Sequence, residues 1–137
     1  MQFCQLKEMR ILKANNNEIT KIEYLDNLLQ LKELNVNHNK IRQFEPNSFS
    51  TMNSIKCLKI NDNGLRNFAN VQRLYKMQHL FANSNRINDF PDLEKLIELP
   101  NLKELELTGN PVCRKAGYRA VLLKKLTSLL YLDGKVK

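Results

Sequence analysis

Residues 31–41 read LKELNVNHNKI, and residues 102–112 read LKELELTGNPV. Laid over one another they share Leu at position four, an apolar residue at six, Asn at nine and an apolar residue at eleven. Three more stretches fit the same template: MRILKANNNEI at 9–19, IKCLKINDNGL at 55–65 and MQHLFANSNRI at 77–87. Position four is then Leu12, Leu34, Leu58, Leu80 and Leu105, and position six is Ala14, Val36, Ile60, Ala82 and Leu107. Position nine is Asn17, Asn39, Asn63, Asn85 and Asn110, and position eleven is Ile19, Ile41, Leu65, Ile87 and Val112. The asparagines are 22, 24, 22 and 25 residues apart, a period that one supersecondary unit fills. An ordinary amphipathic chain with scattered leucines does not place Leu and Asn at fixed offsets five times.

The pattern has a physical reading. Side chains alternate along a strand, so positions four and six face one side, the core. The strand then turns, and its N–H and C=O groups lose their ladder partners. A buried Asn carries both a donor and an acceptor and can satisfy them, so stacked coils form an asparagine ladder. Apolar residues three positions beyond the template, Ile22, Phe44, Phe68 and Phe90, fill the next corner. No coil buries its apolar side alone, so neighbours must stack. Connections are expected to be helical or turn-like, with apolar stripes Tyr24, Leu25, Leu28, Leu29 and Val71, Leu74, Met77. The connection 45–54 contains Pro46 and is expected to run irregularly, with Phe49 and Met52 turned inward.

These registers resemble the leucine-rich-repeat family over residues 9–134. The short repeats are similar to the intracellular subclass typified by a regulatory subunit of protein phosphatase 1. The resemblance implies an α/β right-handed solenoid with a short-stranded parallel concave sheet. From Pro111 onward the template gives way to Tyr118, Val121, Leu122 and Leu126 at helical spacing, then Leu129, Leu132 and Asp133-Gly134. Leu129 and Leu132 reproduce positions one and four of a last strand. This succession resembles the helical C-terminal cap of intracellular relatives: a spliceosomal protein, acidic nuclear phosphoproteins and an axonemal dynein light chain. Thr127 stands where the family often has Pro. The expected organisation is five repeats over residues 1–110, poorly capped at the first edge, and a cap over 111–137. Phe3 and Leu6 offer little cover for that edge. It reads as one side of a longer array or as a frayed end.

Charge and cysteine content narrow the function. The chain of 137 residues has net charge +8, and residues 111–137 alone carry seven basic side chains against Asp133. Residues 1–110 hold 15 basic and 13 acidic side chains, so the excess sits in the tail. There is no run of about 18 apolar residues to span a membrane, and residues 1–10 do not read as a secretory signal. Cys4, Cys57 and Cys113 are too few and too scattered for a disulfide framework or a zinc site. Cys113 lacks the partners of the cysteine-rich cap found in secreted relatives. An intracellular setting, cytoplasm or nucleus, follows, and the resemblance extends it to the cilium. No metal, cofactor or small-molecule substrate is expected.

Positions three, five and seven of each strand point out of the sheet. The candidate partner-binding face comprises Lys13, Asn35, Asn37, Lys59, Asn61, His79, Phe81, Asn83, Glu104 and Glu106. Phe81 stands out, because presented aromatics are enriched at binding hot spots; the competing reading is an ordinary exposed apolar residue. The Asn column at position seven either offers hydrogen bonds to a partner or reflects an Asn-rich sequence. The function expected first is a scaffold binding another protein through a helix or loop. The alternative is RNA or other anion binding through Arg114, Lys115, Arg119, Lys124 and Lys125 in the cap. Nucleic acid ranks second because Phe81 is the only aromatic at these face positions, and stacking platforms use several. Cys57 and His79 share a column on adjacent coils, the one pairing that resembles a nucleophile and base. Surface polarity is the simpler reading, and no enzyme is expected.

Overall fold

The computed structural model describes residues 8–23, 25, 27–49 and 54–137. Five three-residue strands occupy template positions three to five: β1 (Ile11–Lys13), β2 (Glu33–Asn35), β3 (Cys57–Lys59), β4 (His79–Phe81) and β5 (Glu104–Glu106). They pair in parallel and in sequence order, Leu12 beside Leu34, Leu34 beside Leu58, Leu58 beside Leu80 and Leu80 beside Leu105. Two short strands extend the sheet. β6 (Tyr131–Leu132) lies parallel to β5 with Leu132 beside Leu105, and β7 (Lys135–Val136) turns back antiparallel to β6. The expected last strand is therefore present, and β7 adds an element beyond it.

The core is one column of apolar side chains. Leu34, Leu58, Leu80 and Leu105 at position four are buried, with Val36, Ile60, Ala82 and Leu107 at position six. Ile22, Phe44 and Phe68 close the next corner, and Phe90 packs partly buried against it. The first coil differs: Leu12, Ala14 and Ile19 are only partly buried.

Asparagine amides join each coil to the one before. Asn85 Oδ1 accepts from the backbone N–H of Asn63, Gly64 and Leu65 at 2.9–3.0 Å, and its Nδ2 donates to the carbonyls of Ile60, Ala82 and Asn83. Asn39 accepts from Ile19 N–H at 3.0 Å, Asn63 from Ile41 N–H at 3.1 Å and Asn110 from Ile87 N–H at 3.1 Å. Asn17 is exposed and donates only to Ala14 and Asn15 in its own coil. Among the described residues the ladder is thus complete from the second coil onward.

Directly before each ladder Asn the backbone is left-handed, with φ of 60° at Asn16, 57° at His38, 54° at Asp62, 56° at Ser84 and 78° at Gly109. Asn and Asp tolerate this conformation and Gly has no side chain to strain, which accounts for Asn16, Asp62 and Gly109. At Gly109 space matters too, because a Cβ there would lie 3.0 Å from Ser84 Oγ.

The connections are tight turns with a period of three. Leu28 N–H donates to Leu25 O and Leu31 N–H to Leu28 O; Leu74 N–H likewise meets Val71 O, and Met77 N–H meets Leu74 O. A three-residue period points Leu25, Leu28 and Leu31 inward and turns Leu29 out, 65% exposed. This corrects the expected stripe, which assumed α-helical spacing; Tyr24 lies outside the described residues. Val71, Leu74 and Met77 are all buried as expected. In the 45–54 connection Phe49 is buried and packs at a tilt against Phe44, with ring centres 5.2 Å apart, whereas Met52 lies outside the described residues, as do Phe3, Cys4 and Leu6. A 310-helix at Phe90–Glu98 opens on a reciprocal cap. Asp89 Oδ1 accepts from Phe90 N–H, and Asp92 Oδ2 from Asn88 and Asp89 N–H.

The C-terminal segment runs through a 310-turn (Pro111–Arg114) into helix α1 (Tyr118–Lys125). Tyr118, Leu122 and Leu126 are buried against the fifth coil, and Val121 is half-buried. Asp133 Oδ1 accepts from Leu107 N–H at 2.7 Å, and its Oδ2 accepts from the Tyr118 hydroxyl at 2.8 Å. Burial, then the bonds to Cys113 and Asp133, push the Tyr118 hydroxyl far above its ordinary range. No described helix is long and apolar enough to cross a membrane.

Candidate functional site

The concave sheet presents three columns of side chains. At position three the order is Ile11, Glu33, Cys57, His79 and Glu104, and register continues it to Tyr131 on β6. At position five the order is Lys13, Asn35, Lys59, Phe81 and Glu106. Ile11 and Tyr131 stand at the two ends, 54% and 44% exposed, and Phe81 is half-buried between them. Tyr131 was missed from sequence. The signal was there, since a Leu132 at position four obliges residue 131 to take position three.

Neighbouring coils are cross-linked by polar contacts. Lys59 Nζ lies 3.8 Å from Glu33 Oε2, and His79 Nδ1–H donates to Glu104 Oε1 at 2.9 Å. Asn83 Nδ2 donates to Glu106 Oε1 at 2.9 Å. Lys13 is exposed on the first strand. The face is therefore mixed in sign, basic at Lys13 and Lys59 and acidic at Glu104 and Glu106, with Phe81 at the boundary.

The Asn column at position seven has a structural task. Asn37 Oδ1 accepts from Asn61 N–H at 2.7 Å, Asn61 Oδ1 from Asn83 N–H at 2.7 Å, and Asn83 Oδ1 from Thr108 N–H at 2.9 Å. Asn35 Oδ1 accepts from Asn37 N–H at 3.0 Å. Both readings made from sequence need adjusting, because the residues are neither wholly free for a partner nor incidental. They form a second ladder along the edge of the sheet.

Cys57 and His79 lie side by side in register on β3 and β4. Burial, followed by the nearby Glu33 carboxylate, raises the Cys57 thiol to about 11, and Glu104 accepts from His79 Nδ1–H. A thiol held protonated at neutral pH is a poor nucleophile. Among the described residues no group of His, Cys, Asp and Glu could hold a metal ion.

Two of the five basic side chains named for the cap are engaged by protein groups. Arg119 donates to the Leu132 carbonyl at 3.1 Å and the Val136 carbonyl at 2.9 Å, bracing the final hairpin. Lys115 Nζ pairs with Asp89 at 3.2 Å, and the Phe90 N–H and Lys115 together hold the Asp89 carboxyl below its ordinary range. Arg114, Lys124 and Lys125 are exposed.

Solved structures with the same fold come from distant sources. A chain of the Drosophila melanogaster SNF/U2A′ complex matches with TM-score 0.84 at 24% identity, covering 99% of this chain and 79% of that one. An internalin of Listeria monocytogenes matches with TM-score 0.76 at 25% identity, covering 98% of this chain and 37% of its own. The Mex67 leucine-rich-repeat domain of Chaetomium thermophilum matches with TM-score 0.56 at 25% identity, over 67% of this chain and 63% of that one. This chain thus spans little more than a third of the internalin and less than two thirds of the Mex67 domain. A family model described as leucine-rich repeat matches residues 1–137, and the chain belongs to the leucine-rich-repeat family.

Proposed function

We propose that the chain is a protein-interaction module whose concave sheet receives a helix or loop of a partner protein. The observation that carries this is the half-buried Phe81 in the middle of the sheet, flanked in its column by Lys59 and Glu106. An apolar anchor between opposite charges gives both affinity and orientation. Lys13, Asn35, Asn37, Asn61, His79, Asn83 and Glu104 make up the rest of the face, and Tyr131 extends it to the cap. Six parallel strands about 4.8 Å apart make a sheet about 24 Å wide. A stable interface usually buries about 800 Å² per partner, so the sheet seats one element and a tighter complex recruits its rims. The role is non-enzymatic and intracellular on this reading. The first part rests on the repeat family and the second on the cap resemblance. The same fold occurs in a chain of the SNF/U2A′ complex.

Binding of RNA or another anion through the cap is less well supported, because Arg119 and Lys115 are held by protein groups. Capture from a lysate with three immobilised proteins tests the choice: wild type, Phe81→Ala/Glu106→Lys and Lys124→Glu/Lys125→Glu. A partner lost only from the first double variant is the expected result. Loss only from the second would move binding to the cap.

A further inference from the structure

We propose that the flank of the solenoid just beyond the asparagine ladder is a second docking site, for an acidic peptide segment. Lys21, Lys40, Arg42 and Arg66 line one groove of about 430 Å³ there. They are scattered over three coils in sequence, and coil stacking brings them together. Arg66 N–H donates to Arg42 O at 3.2 Å, so these two arginines occupy the same column on adjacent coils. Lys40 N–H donates to Ile19 O at 2.8 Å, which sets Lys40 of the second coil beside the first.

The counter-charge is thin. Lys40 lies 3.7 Å from the exposed Glu18 carboxylate. Glu45 is the one acidic side chain among those lining the groove, and it accepts from Gln43 Nε2 at 3.2 Å. Among the described residues Lys21, Arg42 and Arg66 make no ion pair. Like charges stacked on neighbouring coils repel. An anionic ligand would turn that repulsion into attraction, and Arg side chains can grip a carboxylate in bidentate fashion.

The lining favours a peptide over a nucleic acid. No aromatic side chain lines the groove, so bases have no platform on which to stack. Thr20, Gln43 and Asn67 supply the hydroxyl and amide groups that meet a peptide backbone. This surface lies past the turn that ends each strand, so it and the concave sheet can be occupied at once.

Fluorescence anisotropy with a short labelled peptide of alternating Glu and Gly, at low and physiological salt, tests the proposal. Wild type should bind, more weakly as salt rises. Arg42→Glu/Arg66→Glu, with its fold checked by circular dichroism, should bind at least about tenfold more weakly. Phe81→Ala and Lys124→Glu/Lys125→Glu should bind as wild type does. Equal binding by wild type and the Arg42/Arg66 variant would overturn the site. So would loss confined to the cap variant, or no binding by wild type at low salt. A labelled single-stranded RNA bound more tightly than the peptide, and lost in the same Arg42/Arg66 variant, would overturn the peptide assignment in favour of nucleic acid.

Discussion

The first and last coils are built on one template and end in different states. In the first, Leu12, Ala14 and Ile19 are partly buried, Ile11 is exposed and, among the described residues, Asn17 bonds only within its own coil. In the fifth, Leu105 and Leu107 are fully buried, Asn110 bridges back to Ala82, and Asp133 takes the Leu107 N–H. The residues are the same in kind; the neighbours differ. A repeat residue owes its stability to the coil beside it, as expected of a quasi-one-dimensional fold. The cap succeeds by imitation, for β6 supplies a strand in register and the Asp133 side chain supplies the acceptor that the next coil's position-five carbonyl supplies elsewhere.

Cavity formation gives the widest separation between the two ends. Leu105→Ala should cost about 2–5 kcal/mol, whereas Leu12→Ala, at a half-open site, should cost less than half as much. Urea unfolding of both variants checks this, and equal losses would show that the first coil is as well packed as the fifth. The ladder should divide next. Asn85→Ala strands several buried backbone groups and should cost about 3 kcal/mol, while Asn17→Ala should cost less than about 1 kcal/mol. Native-state hydrogen exchange should show the same asymmetry, with Asn63 and Leu65 amides deprotected in Asn85→Ala and little change in Asn17→Ala.

The smallest effect belongs to the cap. Tyr118→Phe removes one hydrogen bond to Asp133 and should cost about 1 kcal/mol near neutral pH. The Tyr118 hydroxyl is raised in the folded state, so the unfolded chain loses its proton first as pH rises. The contribution is full below the unfolded value of about 10 and declines above it. Thermal unfolding of wild type between neutral pH and about pH 11 should therefore show a fall that Tyr118→Phe lacks. Parallel curves would show that the hydroxyl is not shielded.

Much of this architecture was legible in the sequence because it depends on local repetition. Leu at four and Asn at nine each mark a position whose environment recurs in every coil. Leu132 revealed the added strand for the same reason. What escaped depended on neighbours far along the chain. Lys21, Arg42 and Arg66 look unremarkable in a body of nearly balanced charge, and only coil stacking puts them on one flank. Arg119 reads as a surface cation, yet its nitrogens meet carbonyls 13 and 17 residues away. Leu29 was misjudged because the connection follows a three-residue period, which hydrophobicity alone does not distinguish from the α-helical one.

The position-seven asparagines set the polarity of what a visitor meets. Their oxygens are turned along the stack toward the next coil's N–H, so the amide end left facing a visitor at Asn37 and Asn61 is the NH₂ group. At those two positions a complementary surface that offers oxygen, from the carbonyl end of a helix or from a carboxylate, meets a donor. At Asn83 the NH₂ group is already given to Glu106.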